Sequence, residues 1–205
     1  MRIVGLVAAT AIAGAAGVFT GMAEAKRPDK PWLVHFRAIS VLPDEDANVS
    51  IGGSVKIDDA LVPEIDISYF FDEDWSIELI AATSPHNVRS TLGINLGDAW
   101  VLPPTLTVKY HLPVDGPVRP YIGAGINYTT FWNIDEQPGL SMDYSDSWGW
   151  ALQAGIEIDL GNNWSLNIDV KKIDIDTDVK INGGAITADV EIDPLVVGIG
   201  IGYRF

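Results

Sequence analysis

Residues 195–205, LVVGIGIGYRF, alternate large apolar side chains with glycines and end on an aromatic. Alternation at every second position is a strand pattern, because successive side chains leave opposite faces of an extended chain. Leu195, Val197, Ile199, Ile201, Tyr203 and Phe205 share one face. Val196, Gly198, Gly200, Gly202 and Arg204 share the other. Such a strand either packs its greasy face on a core or turns it to lipid.

The pattern recurs along the chain. Eight segments read as strands, at about 32–41, 63–71, 75–84, 104–112, 119–131, 147–160, 164–176 and 190–205. The connections at 72–74, 113–118 and 161–163 are short and carry turn residues: Asp72-Glu73-Asp74, Asp115-Gly116-Pro117 and Gly161-Asn162-Asn163. Those at about 42–62, 85–103, 132–146 and 177–189 are long and read as loops. Short turns on one side and long loops on the other describe an outer-membrane barrel, whose strands give only weak hydropathy signals. The expected fold is therefore all-β: an eight-stranded antiparallel transmembrane β-barrel with short periplasmic turns and long extracellular loops. A mean hydropathy of +0.17 and seven tryptophans agree with it.

The first residues read differently. Met1-Arg2 is a short basic start, Ile3 to Phe19 is apolar and small, and Ala23-Glu24-Ala25 fits a cleavage site. Residues 1–25 are expected to be a secretory signal peptide and 26–205 the outer-membrane barrel. A retained N-terminal membrane helix is the alternative, disfavoured by the Ala/Gly content and the cleavage site that follows. There is no cysteine, so no disulfide holds an exported chain. The net charge of −15 argues against nucleic acid as a partner.

Aromatics collect at strand ends. Trp32, Phe71, Trp75, Trp164, Tyr203 and Phe205 fall at the periplasmic ends, and Tyr128, Trp148 and Trp150 toward the loops. Two such girdles are what the membrane interfaces favour. A secreted soluble barrel or sandwich would instead scatter aromatics through its core and show no bias in connection length.

If the apolar parity faces lipid, the other parity lines the lumen. Its lower half then holds His35, Arg37, Asp66, Glu78, Lys109, His111, Glu157, Asp159, Asp169, Lys171 and Arg204. Charges of both signs can share a dry interior only when paired, so a salt-bridged plug is expected there. Toward the loops the inward residues become Ile39, Ile80, Ala82, Thr105, Asn127, Ala151 and Val196. They describe a weakly polar vestibule above a closed floor, in a barrel with room for one small ligand at most. A small apolar molecule entering it must leave through the wall into lipid. In β-strand seven the apolar parity changes at Lys171-Lys172, where Ile173 and Ile175 take over, which suggests a bulge or the strand's exit from the membrane.

Other chemistry finds little support. His35 and His111 lie low in the lumen, out of a substrate's reach. His86 falls in a long connection with Ser84, Ser90 and Asp98 nearby but without a catalytic spacing. Asp174, Asp176 and Asp178 open like a calcium loop, yet Val179 and Ala185 replace the required Gly and Glu. No metal site, cofactor or enzymatic activity is expected. Gly123-Ala124-Gly125 lies in a strand with no helix after it, so it is no phosphate cradle. The loop acids Asp44-Glu45-Asp46 and Asp58-Asp59 read as solvated charges that could bridge cations to lipopolysaccharide, an expected partner along with membrane lipid.

Several stretches together resemble the OmpW family of outer-membrane proteins: Leu102-Pro103-Pro104-Thr105, RPYIGAGINYTTF at 119–131, Asp146-Ser147-Trp148-Gly149, IDIDT at 173–177 and Gly202-Tyr203-Arg204-Phe205. The resemblance implies an eight-stranded barrel with a narrow, mostly hydrophobic lumen that passes small hydrophobic molecules sideways into the membrane. It also implies that Phe205 is an assembly signal, read by the barrel-assembly machinery as partner. The glycines of residues 198–202 are then expected to keep the inner wall open. Where the family lumen narrows at an apolar and an aromatic residue, this chain has Ile80 and Lys171, so the lysine puts ligand chemistry in doubt. The rival reading is a structural or adhesin-type barrel acting through its loops.

Overall fold

The computed structural model describes residues 28–91 and 95–205, so the signal-peptide expectation lies outside the described residues. Eight long strands carry the architecture: β1 (Trp32–Leu42), β2 (Ala60–Phe70), β3 (Trp75–Ala82), β4 (Thr105–His111), β5 (Val118–Glu136), β6 (Ser147–Gly161), β7 (Trp164–Ile173) and β8 (Leu195–Arg204). Each pairs antiparallel with its sequence neighbours. β1 also pairs with β8, from Leu33↔Arg204 to Leu42↔Leu195, and this closes the ring. Closure leaves no unpaired edge, as spanning a bilayer with strands requires.

The faces follow the alternation. Phe36, Ile65, Ile122 and Ile199 are between 53% and 60% exposed on the outside, while Arg37, His35, Glu78 and Lys109 are 0% exposed within. That inversion of ordinary globular burial suits a lipid solvent. Aromatic rings pair near both ends of the wall: Trp32 with Tyr69 at 4.7 Å, Trp75 with Tyr110 at 4.8 Å and Trp164 with Tyr203 at 4.9 Å below, Tyr128 with Trp148 at 4.8 Å above. The short turns are tight. Asp72 Oδ1 accepts hydrogen bonds from the backbone N–H groups of Asp74 and Trp75, and Asn162 and Asn163 adopt positive φ, which their short polar side chains tolerate.

The long connections differ from expectation: they are largely strands rather than loops. Ser84–Ser90 and Asn95–Leu102 form a hairpin that, with Val55–Ile57, extends the sheet beside the upper half of β5. Met142–Tyr144, Asp176–Ile181, Ile186–Glu191 and Asp46–Val49 form a separate four-stranded sheet. Their alternation runs opposite to that of the wall. In Asp176–Ile181 the buried residues are Thr177, Val179 and Ile181, and the exposed ones Asp176, Asp178 and Lys180. Above the bilayer water lies outside, so the apolar face turns inward.

The change at Lys171-Lys172 is likewise no bulge. The β7 register runs unbroken through Lys171↔Val196 and Lys172↔Leu195. Lys171 and Ile173 both stand on the inner face and both are buried. The parity is constant; the chemistry of the inner face changes from charged to apolar with height.

Candidate functional site

The lower lumen is a filled polar network. Arg37 Nη1 donates to Glu64 Oε1 at 2.8 Å and lies 3.1 Å from Asp66 Oδ2. Its Nη2 donates to Glu78 Oε1 at 3.3 Å. Lys109 Nζ donates to the same Glu78 oxygen at 2.6 Å. Lys171 Nζ donates to Glu64 at 3.0 Å and to Asp169. His35 presents Nδ1 to Asp66 at 2.7 Å and Nε2 to Glu157 at 3.1 Å, an arrangement that a doubly protonated ring satisfies. Tyr121 donates to Asp169 at 2.7 Å, Gln153 to Glu78 at 2.9 Å and Asn167 to Glu157 at 2.8 Å. Each cation meets at least one carboxylate, the condition under which buried charge is tolerated.

His35, Asp66 and Glu78 bring ligand-type atoms within 4.8 Å of one another. Both carboxylates already take cationic partners from Arg37 or Lys109, which leaves little for a metal ion. Beneath this layer Phe70, His111 and Tyr121 pack as tilted rings, with His111 4.8 Å from Phe70 and 5.5 Å from Tyr121. The Arg204 guanidinium caps the Phe70 ring at 3.9 Å.

Two residues placed in the plug by sequence are elsewhere or differently held. Asp159 is exposed, and its carboxylate accepts from the Gly161 N–H at the turn. Asp159 keeps the β6 register opposite Ser165, and the shift comes only between it and Gly161, so its parity holds but its place at the strand's end leaves it open to water. Arg204 contributes a ring contact below the charge network. Glu64, Tyr121, Gln153 and Asn167 join the network unforeseen. Glu64 shares the inward parity of Asp66 and was legible by that rule; the neutral three carried no charge signal.

The glycines of β8 also serve differently from expectation. A Cβ on Gly200 would lie 2.2 Å from the Phe36 carbonyl and 2.7 Å from Arg37 Cγ; one on Gly202 would meet His35 at 2.7 Å. They do not hold the wall open. They make room for the plug side chains that β1 sends across them.

Above the network lies a cavity of ≈ 190 Å³. Its floor is Glu64, Lys171 and Thr105, and its sides include Ile39, Ile80, Ala82 and Val196 from the barrel. Its upper walls are the inner faces of the extracellular sheets, among them Val88, Val101, Met142, Val179, Ala188 and Ile192. Asn127 and Ala151 are buried but do not line it: Asn127 donates to Thr105 Oγ1 at 3.0 Å, and Ala151 packs within the surrounding apolar cluster. The upper walls are the part of the site that the sequence hides, because their strands are short and interleaved with charged residues.

Ser84 and His86, neighbours on one strand face, do meet. The His86 imidazole has Nδ1 2.8 Å from the backbone carbonyl of Asp58 and Nε2 2.8 Å from Ser84 Oγ. A carbonyl only accepts, so Nδ1 carries the proton, and Ser84 donates to Nε2. Burial holds the His86 pKa below its ordinary value, against the pull of Asp58 and Asp59. Asp98 is engaged instead by Asn87, whose Nδ2 donates to it at 2.8 Å. Phe205 is exposed at the foot of the β1–β8 seam, where its backbone exchanges hydrogen bonds with Trp32.

Known proteins share this design. The model of the OmpW family matches residues 31–205. An uncharacterized outer-membrane protein, y4mB, of Sinorhizobium fredii is 38% identical over 85% of this chain and 80% of its own. The dibenzothiophene metabolism operon protein PahQ of Pseudomonas aeruginosa is 33% identical over 86% of this chain and 90% of its own. The crystal structure of the outer-membrane protein OprG from Pseudomonas aeruginosa superposes with a TM-score of 0.79 at 30% identity, covering 87% of this chain and 97% of that one. With the closed eight-stranded ring and its inverted faces, these matches establish that the chain belongs to the OmpW family, in the outer membrane of a Gram-negative bacterium.

Proposed function

We propose that this barrel takes up small hydrophobic molecules. They enter from outside, occupy the apolar cavity, and leave sideways into the membrane. The observation that carries the reading is the stacking of two unlike layers in one lumen: an apolar chamber directly above a buried network in which each cation meets a carboxylate. The chamber offers a desolvated site, and its ≈ 190 Å³ falls below the roughly 300–1,000 Å³ of drug-sized pockets. The network obstructs travel toward the periplasm. The operon name of PahQ, which links that relative to dibenzothiophene metabolism, supports a hydrophobic cargo.

A sideways route has a candidate place. β3 and β4 pair as far as Ile80↔Thr105, and pairing between the same two chain directions resumes only at Ser84↔Val101. Pro103 and Pro104 fall in the interval and bring no N–H to it. Ala82 and Pro103, one from each chain segment within this interval, both line the chamber.

The test is initial uptake of radiolabelled naphthalene by cells with the native barrel, without it, and with Ala82→Trp or Ala188→Trp. Faster uptake with the native barrel, abolished by both bulky variants while heat-shifted gel mobility shows them folded, supports the conduit. Equal uptake in all strains overturns it. A steady ionic conductance of the purified barrel in planar bilayers would contradict the closed floor.

A further inference from the structure

Resting on the conduit reading, we infer that the conduit discriminates by charge: it admits neutral hydrophobic molecules, above all those bearing a hydrogen-bond donor, and rejects hydrophobic carboxylates. Two independent features lead there, one outside the chamber and one on its wall.

The first is where the charge of the molecule lies. The segments beyond the barrel wall, at 43–59, 84–103, 132–146 and 174–194, carry sixteen Asp and Glu side chains against only Lys56, Arg89 and Lys180. Thirteen of the fifteen net negative charges therefore surround the extracellular entrance. The arrangement is dense enough to oppose itself. In the four-stranded sheet Asp176 faces Glu191, which faces Asp46, and Asp178 faces Asp189. Like charges directly opposite on neighbouring strands repel. A concentration of one sign around a mouth with low-dielectric walls shapes encounter rates by 10–10³-fold, and here it disfavours anions.

The second is the polarity of the chamber's hydrogen-bonding groups. Three hydroxyls on its wall have their protons turned away. Ser84 donates to His86 Nε2, Thr105 to the Pro103 carbonyl at 2.9 Å, and Thr177 to the Ser145 carbonyl at 2.8 Å. The His86 N–H is committed to Asp58. What these residues have left to offer a ligand is lone pairs. The one ammonium at the floor, Lys171, is held between Glu64 and Asp169, in a network whose carboxylates outnumber its fixed cations. A carboxylate set against Ser84, Thr105 or Thr177 would meet lone pairs rather than donors, and would lose its hydration there without replacement. A phenol or alcohol would find an acceptor in Ser84.

Three probes of one shape separate the outcomes: naphthalene, 2-naphthol and 2-naphthoate at neutral pH, each measured as barrel-dependent initial uptake. The expected result is that naphthalene and 2-naphthol enter and 2-naphthoate enters about 10-fold more slowly or not at all. Raising ionic strength from about 10 to 150 mM shortens the Debye length from roughly 30 to 8 Å and should increase 2-naphthoate entry while leaving naphthalene unchanged. Replacing the carboxylates of Asp176, Asp178, Asp189 and Glu191 by amides should do the same in low salt. Ser84→Ala should remove the advantage of 2-naphthol over naphthalene. Equal barrel-dependent entry of all three probes, insensitive to salt, overturns the discrimination and leaves the conduit standing. No barrel-dependent entry of naphthalene overturns the conduit itself. The salt series on the native barrel needs no variant, so it decides the matter even if the amide variant fails to fold.

Discussion

Lys171 of β7 and Glu64 of β2 meet across the lumen at 3.0 Å, and the pair forms part of the floor of the apolar chamber. Both side chains are almost fully buried. Glu64 also accepts from Arg37, and Lys171 also donates to Asp169, so the contact ties β1, β2 and β7 into one network.

Removing one partner from such a contact leaves an uncompensated buried charge. Lys171→Met is expected to destabilise the refolded barrel by about 3–5 kcal/mol, and the double variant Lys171→Met/Glu64→Gln by less than Lys171→Met alone. Urea unfolding in lipid or detergent, followed by tryptophan fluorescence, measures both. A Lys171→Met barrel as stable as the native one would mean that the floor is hydrated and its charges independently solvated.

The glycines opposite β1 make a sharper demand. Gly200→Ala sets a Cβ 2.2 Å from a backbone oxygen, which no rotamer can relieve. Its cost should reach or exceed the roughly 1–3 kcal/mol of ordinary overpacking. Gly52→Ala, whose Cβ would meet nothing but whose φ is +87°, should cost less. The fraction of heat-shiftable protein on gels compares the two.

His86 gives the extracellular region a pH dependence of definite sign. Its folded pKa is depressed, so below the ordinary 6.5 the unfolded state binds a proton that the folded imidazole refuses. Stability from this group is fully present above pH 6.5 and declines as the pH falls through that value. Hydrogen exchange of the 84–90 strand should therefore accelerate between pH 7 and 5.5, and this acceleration should vanish in His86→Gln.

The carboxylate rows of the four-stranded sheet act in the opposite sense. Burial and Asp174 raise the Asp176 pKa, and Asp176 raises that of Glu191. A raised carboxylate pKa means the folded sheet binds protons more readily than the unfolded chain, so acidification through the carboxylate range stabilises it. Glu191→Gln should slow proteolysis of the 176–191 hairpin at pH 7 and have little effect at pH 4.

The wall was readable in the sequence because lipid on one side and charge on the other impose a strict two-residue period on every strand. Phe36 and Arg37 declare their faces without any structure. The upper chamber was harder. Val179, Ala188 and Val190 alternate over only six residues among aspartates, and a hairpin projecting into water reverses the rule that worked for the wall. The neutral plug residues left no trace because Tyr121, Gln153 and Asn167 become specific only through partners on other strands. Asp159 was misplaced in depth rather than in face: it keeps its register opposite Ser165 but stands at the end of the strand, beside the Gly161 turn, where it is exposed. The Ser84–His86 contact was visible as a spacing of two, but its orientation comes from the Asp58 carbonyl, a backbone group from a distant segment.

The β1–β8 seam has a kinetic consequence. It joins residues 33–42 to 195–204, so the first strand of the ring waits for its second neighbour until the other seven strands are present. Until then two ribbons stand with unpaired N–H and C=O groups, each a template for a wrong chain. Contacts of such long sequence separation form slowly. The fold therefore behaves like a clasp rather than a stack: it gains little from partial completion, and a chain lacking those ten residues should be left not as a smaller barrel but as an open sheet in need of a chaperone.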